Sequence, residues 1–338
     1  MKLIDGFKFV TCLVFLSAMP VAHSNAAHYS PMHMVFTSDP QYPWTEKSDD
    51  EAPQSDSERD ARSQWLIETQ YADVADFRKN FGGAGRVPVM INGDITAFGH
   101  GWQRSVVKPI LDAKLGGVYD YGLGNHDYEN NIDDCFLNSC AAGSVVELKE
   151  RYWGKLDNVD LTIQENGGIK KIWNGSLAYA RDHGDVHLVQ LHNEPTYSVS
   201  FTAWDWGAPT GYNIGDSLDW LERDLKSARD QGKIIILNMH KPDRWKGTDG
   251  QIARFKKMIQ DYKVTAVFAG HYHEDSGEYF GWNKRDYFGD VPVFLSGGAS
   301  QQTYLITSFS ADRRSLTVSR VQGNNWPSRK VISTIPVK

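Results

Sequence analysis

The feature that most constrains this chain is a series of short apolar runs, several of which stop at a residue able to bind a metal. The runs are "MHMVFTS", "RVPVMING", "VYDYGLG", "DVHLVQLH", "KIIILNMH", "VTAVFAG", "VPVFLSG", "TYLITSFS" and "SLTVSRVQ". Runs of this length bounded by turn residues read as buried β-strands. Amphipathic stretches lie between them. One repeats Trp65, Leu66, Tyr71, Val74 and Phe77 at helical spacing, and a second repeats Leu218, Leu221 and Leu225. Strand and helix alternate and then give way to strands, which predicts an α/β core with one mixed sheet or two stacked sheets. At 338 residues the chain is long enough for one large α/β domain or two small ones. It contains no internal repeat and no low-complexity tract. The acidic stretch "TEKSDDEAPQSDSERD" reads as a solvated surface loop leading into a helix, with Ser57 or Asp56 as its cap.

The ends of the runs carry the chemistry. The first closes at Asp39. The second closes at Asp94, after Gly93. The third closes at Asn125, His126 and Asp127, after Gly124. The fifth reaches His240, and the sixth passes Gly270 into His271 and His273. Residues two apart in an extended chain point to one side, so His271 and His273 can aim at one volume. In open α/β sheets, sites form at the carboxyl ends of the strands, so five such ends would converge. The glycines let backbones approach closely. Each element alone is weak, since a lone His after a strand is usually a core residue and Gly-Asp pairs are common in turns. The ordered set is specific. Carboxylate, carboxamide and imidazole together suit manganese, zinc or iron, and the absence of thiolates argues against a structural zinc knot.

With these motifs in hand, the chain resembles the calcineurin-like metallophosphoesterases from about Met34 to about Ser308. The resemblance rests on Asp39, Gly93-Asp94, Gly124-Asn125-His126-Asp127, His240 and Gly270-His271-Tyr272-His273, in that order. It implies a four-layer α/β/β/α sandwich of two mixed sheets flanked by helices. It implies two divalent ions (Mn, Zn or Fe): one on Asp39 and His273, the second on Asn125, His240 and His271, with Asp94 bridging. A hydroxide activated by the metal pair would attack phosphorus, while His126 stabilises charge or protonates the leaving group and Asp127 fixes its ring. The chain departs from the family's Asp-x-His at its first motif, which here reads Asp39-Pro40-Gln41. Gln41 offers a neutral carbonyl oxygen where an imidazole is expected. The implied function is hydrolysis of a phosphate ester, by a phosphatase or a phosphodiesterase. The alternative is a catalytically weak protein that uses the fold to hold a phosphorylated ligand or surface, and Gln41 is the feature that speaks for it.

The remaining signals concern location and surroundings. Residues 1–26 have the basic start, apolar stretch and small-residue end of a secretory signal peptide, with cleavage after Ser24 or Ala26. The apolar stretch is too short to span a bilayer. A single domain over 30–338, with a long substrate-wall insertion at about 130–215, follows in a secreted or periplasmic mature chain without a transmembrane segment. Formal net charge is −6, and removing Lys2, Asp5 and Lys8 takes a net +1 with it and leaves −7. That balance disfavours nucleic acid and leaves a small-molecule or lipid phosphoester as substrate. Cys135 and Cys140 read as a disulfide in an oxidising compartment, or else as two unpaired thiols. His192 either contacts substrate or is a hydrogen-bonded structural histidine. His100 reads as a loop residue near Asp94, and His183 and His187 as structural. Tyr42, Trp44, Trp102 and Trp245 follow the motifs closely and either stack on a substrate or pack in loops. Lys241 and Arg244 either meet a substrate anion or are solvated.

Overall fold

A computed structural model describes residues 30–166, 170–205 and 208–338. The expected signal peptide lies outside these residues. No helix among them is long and apolar enough to cross a membrane.

All nine expected strands form. They sort into two six-stranded mixed sheets. In the first sheet the order is Lys330–Pro336, Ser315–Gln322, Thr303–Phe309, His33–Thr37, Val89–Ile91 and Asp120–Tyr121. In the second it is Ser276–Glu278, Val293–Ser296, Ala266–Ala269, Ile234–Asn238, Val186–Gln190 and Tyr179–His183. His33–Thr37, Val89–Ile91 and Asp120–Tyr121 run parallel, as do the four central strands of the second sheet. Their carboxyl ends therefore lie together along one edge of each sheet.

Side-chain alternation decides what each face does. Met34 and Phe36 of His33–Thr37 point into the space between the sheets, where they meet Met90, Leu188, Ile236, Phe268 and Phe294. The Phe36 and Phe268 rings stack across that seam with centroids 3.7 Å apart. Val35, between them in sequence, faces the other way. It packs with Ile67, Tyr71, Val74 and Phe77 of the helix Asp56–Asn80 and Val107 and Leu111 of the helix Gly101–Leu115. The helices Leu218–Asp230 and Asp249–Asp261 cover the outer face of the second sheet through Leu221, Leu225, Phe255 and Ile259. The four expected layers, α/β/β/α, follow from these contacts.

Three expectations need correction. A third sheet, with strand order Thr162–Asn166, Lys170–Gly175, Ala208–Ile214 and Val199–Asp205, adds to the two predicted. With the helix Ser139–Tyr152 it builds its own core around Leu148, Trp173, Phe201 and Tyr212. The stretch 130–215 is also not one continuous insertion, because Tyr179–His183 and Val186–Gln190 inside it belong to the second sheet. Last, the acidic segment is exposed over much of its length, as expected, but it is not all loop. Thr45 and Ser55 each close a capping box, on the short helix Glu46–Asp49 and on Asp56–Asn80. Ser55, rather than Ser57 or Asp56, is the cap, because Glu58 stands three residues on to complete the reciprocal bond.

Candidate metal centre

The strand ends are stitched to one another by backbone hydrogen bonds before any side chain is considered. Asp39 N donates to Gly93 O at 3.1 Å, Gln41 N to Asp94 O at 2.9 Å, and Gly270 N to His240 O at 2.9 Å. His240 Nδ1 donates to Asn92 O at 2.8 Å and so ties the second sheet to the first. This closeness requires the glycines. A Cβ on Gly93 would stand 2.7 Å from Gly124 N, and one on Gly124 would stand 2.6 Å from Asp94 N and collide with its carboxylate. Asp39, Asp94 and His271 hold positive φ values of 51°, 48° and 75°. Side chains rarely adopt that region, and where they do the strain tends to mark a functional site.

Around this knot the side chains form two neighbouring groups. In one, His273 Nε2 lies 3.2 Å from Asp39 Oδ1. In the other, His240 Nε2 lies 3.0 Å from Asp94 Oδ2 and 3.0 Å from Asn125 Oδ1. Ligand atoms of Asp94, His240 and His271 all lie within 4.8 Å of one another. Asp39, Asp94, Asn125 and His240 are buried. Three imidazoles share one arrangement: Nδ1 is anchored and Nε2 is presented. His240 uses Asn92 O, His126 uses Ala97 O at 2.7 Å, and His273 uses Asp49 Oδ1 at 2.6 Å. The carbonyls accept only, so Nδ1 of His240 and His126 carries a proton and Nε2 is the working nitrogen.

The electrostatics follow from burial and from this pairing. Burial opposes charge on His240, but the Asp94 and Asp39 carboxylates outweigh it and raise its pKa to about 9. Burial, and then the His240 charge, lower His271 to about 4. The two rings are 5.2 Å apart, so charge on one disfavours charge on the other. Asp94 is buried, yet His240 and His126 hold its carboxyl well below the usual range.

The donor set fits a divalent metal. Asp39 Oδ1 and Asp94 Oδ2 are buried and receive no hydrogen bond, although an imidazole nitrogen stands beside each. Buried carboxylate oxygens without a donor are costly, and a cation would satisfy them. Gln41 is buried as well, with neither amide atom hydrogen-bonded. A second cluster of ligand type, His100 with Cys135 and Cys140, is not equivalent. The two cysteines form a disulfide, as expected, so their sulfurs are not thiolates.

Several neighbours differ from expectation. Asp127 does not touch the His126 ring. Its oxygens accept from the backbone amides of Gly124, Ile95 and Thr96, each at 3.0 Å, so it pins the loop rather than the imidazole. His192 is buried with both ring nitrogens used: Nδ1 accepts from Leu123 N at 3.0 Å and Nε2 donates to Leu177 O at 2.7 Å. Burial lowers its pKa to about 4. It is a neutral cross-link with no nitrogen left for a substrate. Lys241 is buried beside Glu129, at 3.1 Å, rather than solvated. Trp245 packs in the outer helical layer on Phe255 and Tyr287. Trp44 borders the centre, with its ring edge on His126 and His273 at 5.7 and 5.9 Å.

One residue of the centre was not anticipated. Asp49 Oδ1 accepts from His273 Nδ1 and from Trp44 Nε1, both at 2.6 Å. Its Oδ2 accepts from Ser300 Oγ at 2.6 Å and Gln301 Nε2 at 2.8 Å. A carboxylate behind a histidine fixes the tautomer and aims the far nitrogen, as in carboxylate–histidine–metal arrangements. In sequence Asp49 stands in an acidic run beside Asp50 and Glu51, both exposed, and nothing local distinguishes it.

The family model for calcineurin-like phosphoesterases matches residues 32–275. No curated protein matches the chain. Among solved structures, GAP50, the anchor in the inner membrane complex of Plasmodium, is 12% identical, with 91% of this chain and 89% of that one covered and a TM-score of 0.46. Vps29 from Entamoeba histolytica is 9% identical, with 91% and 100% covered and a TM-score of 0.32. A protein serine/threonine phosphatase from Saccharomyces cerevisiae with similarity to human phosphatase PP5 is 10% identical, with 91% and 84% covered and a TM-score of 0.31.

Proposed function

Because the chain belongs to the calcineurin-like phosphoesterase family, we propose that it is a metal-dependent hydrolase of phosphate esters, acting on a small-molecule or lipid phosphoester. The observation that carries this reading is the pair of buried carboxylate oxygens, on Asp39 and Asp94, that face imidazole nitrogens and accept no hydrogen bond. In this reading Asp39, Asp94 and His273 would hold one divalent ion, with Gln41 beside them, and Asn125, His240 and His271 would hold the second together with Asp94. Such a pair supplies Lewis acidity, neutralising phosphoryl oxygens and acidifying a water.

The chain's own groups do the rest. A phosphoester is anionic and repels a hydroxide nucleophile, so the cradle must offset that repulsion. His126 presents Nε2 because Nδ1 is held by Ala97 O. As the imidazolium, protonated on both nitrogens, it donates through Nε2–H a hydrogen bond to a phosphoryl oxygen, or passes that proton to the departing oxygen and keeps the one on Nδ1. Asp127 keeps His126 in place by holding three backbone amides of the two adjoining loops. Trp44 borders the site, its ring centroid 5.7 Å from that of His126 and 5.9 Å from that of His273. The secretory pattern of residues 1–26 and the Cys135–Cys140 disulfide support an exported enzyme.

The test is hydrolysis of p-nitrophenyl phosphate and bis-p-nitrophenyl phosphate by protein stripped with chelator and restored with manganese, zinc or iron. Metal-restored turnover, lost in Asp94→Asn and reduced about 10²–10⁴-fold in His126→Ala, is the expected result. Folded protein that binds metal yet hydrolyses neither ester would overturn it and favour a ligand-holding role.

A further inference from the structure

A cavity of about 330 Å³ lies at the Asp120–Tyr121 edge of the first sheet, between the helices Gly101–Leu115 and Ser139–Tyr152. None of the metal-centre ligands lines it. Its volume is within the ~300–1,000 Å³ range of small-molecule sites. Its floor is apolar and aromatic, formed by Ile95, Leu111, Leu123 and the rings of Tyr119 and Tyr121. Its rim is net cationic, with Arg104, Lys108, Arg151 and Lys155 against Glu147 and Glu150. Arg104 is matched by Glu147 at 3.1 Å. Lys108, Arg151 and Lys155 also line the cavity, and none of them is ion-paired among the described residues. Glu150 and Asp127 are the other carboxylates lining it, and backbone amides already occupy the oxygens of Asp127.

Arg151 is built into the wall. Its guanidinium lies 4.1 Å from the Tyr119 ring centroid and donates to the carbonyls of Gly117 and Tyr119. This fixes a positive charge at the cavity mouth at little further entropic cost. Lys108 and Lys155 are exposed, and Lys155 Nζ donates to Glu150 O at 2.6 Å, a surface bond it can exchange for a bound anion. An apolar floor under a positive rim suits a ligand with a flat apolar body and one anionic end. A neutral hydrocarbon would leave the cations unmatched, and a small inorganic anion would leave the floor uncovered.

We propose that this cavity is a second binding site, separate from the metal centre, for an amphiphilic organic anion. Its far wall includes Ile95 and Asp127, which join the loops carrying Asp94 and His126, so an occupant would sit directly behind the metal centre.

The experiment is a fluorescence titration of the full chain with 8-anilinonaphthalene-1-sulfonate, an apolar anion, and with neutral N-phenyl-1-naphthylamine. Expected are saturable one-to-one binding of the sulfonate and weakening by tenfold or more in Lys108→Glu/Lys155→Glu. Lys79→Glu, an exposed charge reversal elsewhere, is expected to bind as wild type. Chelation of metal is expected to leave the affinity unchanged, which separates this site from the metal centre. Equal binding of the sulfonate by wild type and the double variant, non-saturating fluorescence, or equal affinity for the neutral probe would each overturn the proposal. The readout is occupancy rather than turnover, so it stands or falls independently of the hydrolase reading.

Discussion

Asp49 places four donors on two oxygens, and His273 is one of them. Replacing it with Asn keeps the shape but leaves one acceptor oxygen and adds an amide donor, so the His273 tautomer is no longer imposed. Asp49→Asn is expected to lower metal affinity by about 10–100-fold, read by metal content after dialysis against graded chelator. Ser300→Ala, which removes a donor from the other oxygen, is expected to cost less. An unchanged metal content in Asp49→Asn would show that His273 is oriented by other contacts. Gly124 gives a second prediction at this scale. Any Cβ there meets the Asp94 carboxylate and its backbone nitrogen. Gly124→Ala is therefore expected to abolish metal binding while circular dichroism still reports folded protein. The candidate ligands were legible in the sequence because each stands at the end of an apolar run. Asp49 was not, because its role depends on a partner 224 residues away.

At the scale of elements, His187 joins two strands and a helix. Its Nδ1 contacts Asp182 at 2.6 Å, on Tyr179–His183, and its Nε2 contacts Asp224 at 2.9 Å, on Leu218–Asp230. Lys233 also reaches Asp182, at 2.8 Å, and Asn158 donates to Asp224. Burial disfavours the imidazolium, but the two carboxylates outweigh it and raise the pKa to about 9. The folded value lies above the unfolded value near 6.5, so the stabilisation is full below pH 6.5 and is lost as pH rises to about 9. It amounts to roughly 3 kcal/mol. Urea midpoints measured from pH 6 to pH 9.5 are expected to fall in the wild type and to be flatter in His187→Gln. Equal slopes in the two proteins would mean that the triad does not carry the linkage. The helices Asp56–Asn80 and Leu218–Asp230 form where the apolar spacing predicts them, whereas Gly101–Leu115, Ser139–Tyr152 and Asp249–Asp261 lie outside the predicted stretches.

For the molecule as a whole, the seam between the two large sheets holds the strand ends in register. Phe36 and Phe268 stack there, one from each sheet, just behind Asp39 and Gly270. Phe268→Ala is expected to cost about 3–5 kcal/mol and to shift thermal unfolding downward. It is also expected to reduce metal content in protein that remains folded, because the two halves of the centre come from opposite sheets. Loss of stability with full metal retention would show that the cross-sheet hydrogen bond of His240 suffices. The sequence by itself determined an α/β core and which residues stand at its strand ends, since period-two and period-3.6 patterns are local and strand ends in an α/β fold converge by rule, while the four-layer sandwich came from the family resemblance. Only the tertiary structure decided which face of Asp127 and His192 mattered, that Asp49 stands behind His273, and that a third sheet walls the edge. Those outcomes depend on contacts between residues far apart in the chain, where a side chain's partner, rather than its type or neighbours, sets what it can do.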